Sequence, residues 1–186
     1  MSRQGLGGEA KRILLKVARN ALMESFNQKM DPANTKLPEL QEQNGAFVSL
    51  HKRGALRGCI GVFQGEGPLY LTVASMALAA AFEDPRFPPL SKGELNDIDI
   101  EISVLSSLTP VKNVEEIEVG KHGIYIIKKY RRGVLLPQVA TEQGWDRETF
   151  LQHTCLKAGL SPDCWKGDVE IYTFTADIFG EKEHSH

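Results

Sequence analysis

The chain has 186 residues, 41% hydrophobic and 25% charged, and 22 Lys+Arg against 24 Asp+Glu leave a formal net charge of −2. That length suits one domain, or two small lobes sharing a core. The charge balance weighs against an electrostatic DNA or RNA binder, which carries a clear basic excess.

In chain order, residues 9–27 read as an amphipathic helix, with Ile13, Leu14, Val17, Ala21, Leu22 and Phe26 at helical spacing. MDPANTKLPEL then reads as a loop. Residues 45–63 read as a hairpin turning at Lys52–Gly54. Glycines 58, 61, 65 and 67 crowd its second half, where a strand needs a bend or a close approach to tolerate them. Pro68 opens an Ala-rich helix reaching about Glu83, and the prolines of DPRFPPL stop it.

Ile98, Ile100, Ile102 and Val104 alternate with polar residues over 97–105, the clearest strand, with one core face and one polar face. Residues 122–136 predict a hairpin turning near Arg131–Gly133. Asp146 is placed to cap a helix over 147–158, Gly159 to end it, and 168–175 to form a last strand. The closing EKEHSH is polar and expected to fray. Hairpins without parallel crossovers define the expected class: α+β, a mainly antiparallel sheet flanked by helices.

The three cysteines, Cys59, Cys155 and Cys164, include no Cys-x-x-Cys pair and are expected to be reduced thiols in a cytoplasmic protein. The N-terminus lacks the apolar core of a secretory signal. The most apolar stretch, Leu69–Phe82, has 14 residues, short of the roughly 18 that cross a bilayer. No Cys/His set has zinc spacing, so neither metal nor cofactor is expected. Gly5–Gly8 lacks the ending of a phosphate loop, and Glu66 opposes anion binding ahead of the second long helix.

Chemistry concentrates in Leu56-Arg57-Gly58-Cys59-Ile60-Gly61. Residues 57 and 59 of a regular strand share a face, so a guanidinium would favour the Cys59 thiolate. Against this stands a buried, inert cysteine. His51 or His122 would serve as base, and Glu101 is either a solvated strand residue or a carboxylate facing a ligand. Lys128, Lys129, Arg131 and Arg132 form a basic tip around Tyr130, read as a solvated turn or a small nucleic-acid contact.

GAFVSLHKRGALRGCIG, DPRFPPL, IEISVLS, HGIYI, LLPQVATEQGW and FLQHTCLKAGL follow one another in this order. With them the chain resembles prokaryotic members of the AMMECR family, called AmmeMemoRadiSam system protein A, over about residues 10–180 of a single domain spanning 1–186. The resemblance implies two unequal lobes, with a cleft between them near LRGCIG. It implies signature positions at Leu56, Arg57, Gly58, Cys59, Ile60 and Gly61, and others at Asp84, Arg86, Phe87, Glu101, Ser103, His122, Gly123, Pro137 and Gln138. It also implies association with a Memo-like protein and a radical S-adenosylmethionine enzyme.

Three functions follow as expectations. The first is a binding or adaptor component, with Arg57, Gly58, Gly61, Arg86 and Gln138 holding a ligand. The second is an enzyme with Cys59 as nucleophile and His122 or Glu101 moving protons. The third is RNA or DNA binding, which the net charge disfavours.

Overall fold

A computed structural model of the chain describes residues 5–184. Two compact units emerge: the first runs to Leu105 and resumes at Asp177, and the second comprises Ser106–Ala176.

In the first unit, helix α1 (Gly8–Glu24) and the short α2 (Pro38–Gln41) precede strands β1 (Ala46–Lys52) and β2 (Ala55–Val62). Helix α3 (Leu69–Phe82) and β3 (Ile98–Leu105) follow. Arg53 (φ 51°) and Gly54 (φ 83°) supply the positive φ pair that a tight two-residue hairpin turn requires. β1 pairs antiparallel with both β2 and β3. Ala46, Val48 and Leu50 of β1 join Ile98, Ile100 and Ile102 of β3 in a core with Leu14, Ala18 and Leu22 of α1 and Val73, Ala77 and Ala80 of α3. The 14-residue apolar stretch is α3 itself, whose alanines let it lie close to the sheet. Among the described residues no helix is long and apolar enough to cross a membrane.

The second unit holds β4 (Thr109–Pro110), β5 (Gly123–Lys128), β6 (Arg131–Leu135) and β7 (Glu170–Phe174), in the order β4-β7-β5-β6. Helices α4 (Pro137–Gln143) and α5 (Arg147–Lys157) accompany them. Asp146 caps α5 by accepting the Thr149 N–H at 2.8 Å, and Gly159 follows the helix at φ 76°. Strand β8 (Ala176–Gly180) belongs to the other sheet, ordered β2-β1-β3-β8.

Four expectations need correction. The β5–β6 turn is Lys129–Tyr130, not Arg131–Gly133, because Lys128 pairs with Arg131. Gly133 lies inside β6, where a Cβ would come within 2.6 Å of the Thr154 carbonyl on α5, so its role is close helix packing. Helix α2, which begins in the stretch read as a loop, helix α4 and strands β4 and β8 are absent from the sequence-based expectation. The tail does not fray at its start: Glu181–His184 form a 3-10 turn, and Glu181 accepts from Arg19 Nη2 at 2.6 Å and the Ile100 N–H at 2.7 Å. Residues 185 and 186 lie outside the described residues. Finally, Cys155 and Cys164 are not free thiols but a disulfide, brought to a Cα separation of 5.8 Å by the turn after α5.

Candidate functional site

β2 is an edge strand. Leu50 pairs with Gly58 but His51 with Leu56, so Arg57 is the extra residue of a bulge. That extra residue breaks the two-residue repeat on which an Arg57-assisted thiol depended. Arg57 is instead buried, with Nε and Nη2 donating to the Glu94 carboxylate at 3.0 and 3.2 Å. Lys52 Nζ reaches the same carboxylate at 3.0 Å. Arg57 above all holds the Glu94 carboxyl far below the usual carboxylate range, against the opposing effect of burial. Arg57 Nη1 is buried without a partner among the described residues, so the guanidinium depends on Glu94.

The arginine beside Cys59 is Arg86. The buried Asp84 carboxylate accepts the Cys59 N–H at 2.9 Å, the Arg86 N–H at 3.1 Å, and Arg86 Nε and Nη2 at 3.0 and 2.8 Å. Arg86 Nη2 also lies 3.4 Å from the Cys59 carbonyl. Arg86 draws the Asp84 carboxyl far below its ordinary value although burial opposes this. The pair occupies backbone groups that an edge strand would otherwise leave open to a further strand.

The glycines likewise face the protein's own atoms. A Cβ on Gly58 would run into the Ala80 carbonyl of α3, and one on Gly61 into the Phe47 ring. The close approaches that their presence signalled come from α3 and β1.

Cys59 is the free cysteine and is partly exposed. Its sulfur receives a hydrogen bond from Ser49 Oγ at 3.1 Å. Ser49 stands opposite Cys59 on one side and Glu101 on the other, so the three form one cross-strand row. Residues directly opposite share a sheet face, here the one turned away from Val48 and Leu50. His51, opposite Asp99, lies two residues along β1 on the same face. His51, Asp99, Glu101 and Lys182 line an open groove of ≈ 240 Å³. Among the described residues no three His, Cys, Asp or Glu side chains are placed to hold a metal.

His122 and Gln138 belong to the second unit. His122 Nδ1 accepts the Glu118 N–H at 3.0 Å, and burial lowers its pKa. The neutral ring therefore has its acceptor nitrogen occupied. Gln138, near the start of α4, has its side-chain oxygen buried without a partner among the described residues. Sequence reasoning singled out Cys59, Glu101, Arg86 and Asp84. It missed Ser49, whose place between Cys59 and Glu101 is a matter of strand register, and Glu94, whose approach to Arg57 is a long-range contact.

Two antiparallel-paired sheets, one bearing a polar row centred on Ser49, define an α+β protein with a candidate site on its first sheet. The chain belongs to the AMMECR1 family, which matches residues 15–179. It is 44% identical over 183 residues to a protein of Methanothermobacter thermautotrophicus, covering 91% of this chain and 93% of that relative. A Pyrococcus furiosus protein is 42% identical over 182 residues, covering 91% and 87%. The crystal structure of an uncharacterized Pyrococcus horikoshii protein is similar throughout, with 39% identity, a TM-score of 0.80, and coverage of 91% and 90%.

Proposed function

We propose that the protein is a binding or adaptor component of a modification system. Its polar row Cys59–Ser49–Glu101, with His51 and Arg86 nearby, receives a polar ligand or a segment of a partner. The observation that carries this reading is the sulfur's partner. It is a serine hydroxyl, and among the described residues no imidazole or carboxylate is hydrogen-bonded to the sulfur. A cysteine nucleophile is ordinarily coupled to a base within hydrogen-bond reach. The Memo-like protein and radical S-adenosylmethionine enzyme are proposed as partners on the family resemblance. Co-purification of the tagged chain with both proteins from the same organism tests the reading. Retention by the wild type and loss with Glu101→Lys is the expected result. Failure to retain either protein, with or without low-molecular-weight extract, overturns it.

One observation favours the enzyme reading as a second: Cys59 is partly exposed beside an arginine, with Arg86 Nη2 lying 3.4 Å from the Cys59 carbonyl. A Cys59 that alkylates in the folded protein no faster than a free-thiol peptide removes its basis.

A further inference from the structure

The second unit carries a feature that the polar row does not use. The β5–β6 hairpin closes through Lys129 and Tyr130, with Lys128 and Arg131 as its last pair. Four cations, Lys128, Lys129, Arg131 and Arg132, thus surround one turn. Tyr130 is 99% exposed. Among the described residues the side chains of Lys128, Lys129 and Tyr130 have no hydrogen bond, ion pair or ring partner. The arginines are anchored: Arg131 Nη1 donates to the Gly159 carbonyl at 2.8 Å and Arg132 Nη1 to the Tyr125 hydroxyl at 3.3 Å. The turn is therefore held against the rest of the unit while its lysines and tyrosine stay free.

Beside it is an open hollow of ≈ 470 Å³ lined by Lys128, Lys129, Tyr130, Arg131 and Leu160. Its lining combines the long side chains of three cationic residues with an aromatic ring and a leucine, and such side chains bury apolar stems while keeping their charged ends in water. Gly159 and Leu160 lie in the segment that the Cys155–Cys164 disulfide closes, which fixes the wall opposite the turn.

We infer that this hairpin tip docks an acidic peptide segment of a partner protein. Carboxylates meet Lys128 and Lys129, and an apolar side chain enters the hollow between Tyr130 and Leu160. Charge complementarity identifies the occupant's sign, and the leucine and lysine stems of the hollow suit an aliphatic side chain. Nucleobases also stack on an exposed aromatic ring, but beyond the tip a phosphodiester chain meets a protein whose overall charge is −2, which favours a short acidic peptide. The inference is independent of the reading of the first sheet, since no residue is shared.

Fluorescence anisotropy with the full chain tests it. The probes are a labelled 12-residue peptide of repeated Asp-Glu-Leu, the same peptide with Ser for Leu, and a labelled 12-nucleotide single-stranded RNA. The Asp-Glu-Leu peptide should bind, with Lys128→Glu plus Lys129→Glu weakening it at least about tenfold through loss and reversal of two attractions. Tyr130→Ala and the Ser-for-Leu peptide should each weaken binding about threefold or more by removing apolar contact. These side chains are exposed, and circular dichroism checks that the variants fold. Absence of peptide binding, indifference to the double charge reversal, or tighter binding of the RNA overturns the inference. None of these outcomes bears on co-purification through Glu101.

Discussion

Replacing Asp84 by Asn keeps the size of the side chain and removes its charge. The buried carboxylate accepts four N–H groups, two from the backbone of Cys59 and Arg86 and two from the Arg86 guanidinium. The amide keeps one acceptor oxygen and turns an NH₂ toward groups that also donate. Hydrogen bonds to a charged partner contribute roughly 1.5–3 kcal/mol each. The Arg86 side chain is 56% exposed and rehydrates when released, so its share is discounted. The net cost is then about 2–3 kcal/mol, mostly from the two backbone amides. At roughly 2–4 °C per kcal/mol for a chain of this size, Asp84→Asn should melt about 4–12 °C lower.

Both tryptophans, Trp145 and Trp165, belong to the second unit. The transition is therefore best followed by pulsed labelling of the Cys59 thiol, which lies in the first. The effect also has a pH signature. In the unfolded chain Asp84 titrates near its ordinary value, roughly 3.9, whereas in the folded protein Arg86 holds it far lower. Above about pH 5 both states are ionised, and the contribution is present in full. As pH falls through 4 and below (roughly), the unfolded state takes up the proton first and the contribution is progressively lost. The gap between wild type and Asp84→Asn should be constant toward neutrality and close in acid. A variant melting within about 1 °C of wild type at pH 7 would refute the tie between Asp84 and the β2 edge.

Four further outcomes are expected. Glu94→Gln leaves a buried guanidinium without its counter-charge and should cost about 3 kcal/mol, with Arg57→Met in the same chain recovering part of the loss in a urea-melt double-mutant cycle. Gly58→Ala meets the Ala80 carbonyl of α3 and should lower the thermal midpoint, while Gly67→Ala, with nothing near its Cβ, should not. The Cys155–Cys164 bond has a sequence separation of 9, and its reduction should lower stability by about 2.5–3 kcal/mol in urea melts with and without dithiothreitol. Thiol titration of the unreduced, denatured protein should count one free thiol.

Local physics made most elements readable from sequence. Ile98–Val104 alternates with the pleat, Asp146 sits one residue ahead of a helix, and Arg53–Gly54 marks a turn. Gly133 misled, because its neighbour is a helix backbone 20 or more positions away in sequence (Thr154, Ala158) rather than a turn of its own. The same non-locality hid the site's wiring. The proximity of Arg57 and Cys59 in sequence suggested a pair, but one bulge residue sends Arg57 to Glu94, and Arg86 arrives from 27 residues on. The role of Ser49 follows from the register of three strands. The disulfide escaped notice because residue type carries no information on whether two chain segments turn toward each other.

In the function proposed above, the face bearing Cys59, Ser49 and Glu101 binds a partner without using the thiol as a nucleophile. The most direct measurement is the rate of Cys59 alkylation by iodoacetamide, read by mass spectrometry, with and without the Memo-like protein and the radical S-adenosylmethionine enzyme. Protection of Cys59 by about tenfold or more in the presence of partner, with Cys59→Ser still co-purifying, is the expected result. Unprotected alkylation in the presence of saturating partner, or a Cys59-linked covalent adduct formed during turnover, would contradict it.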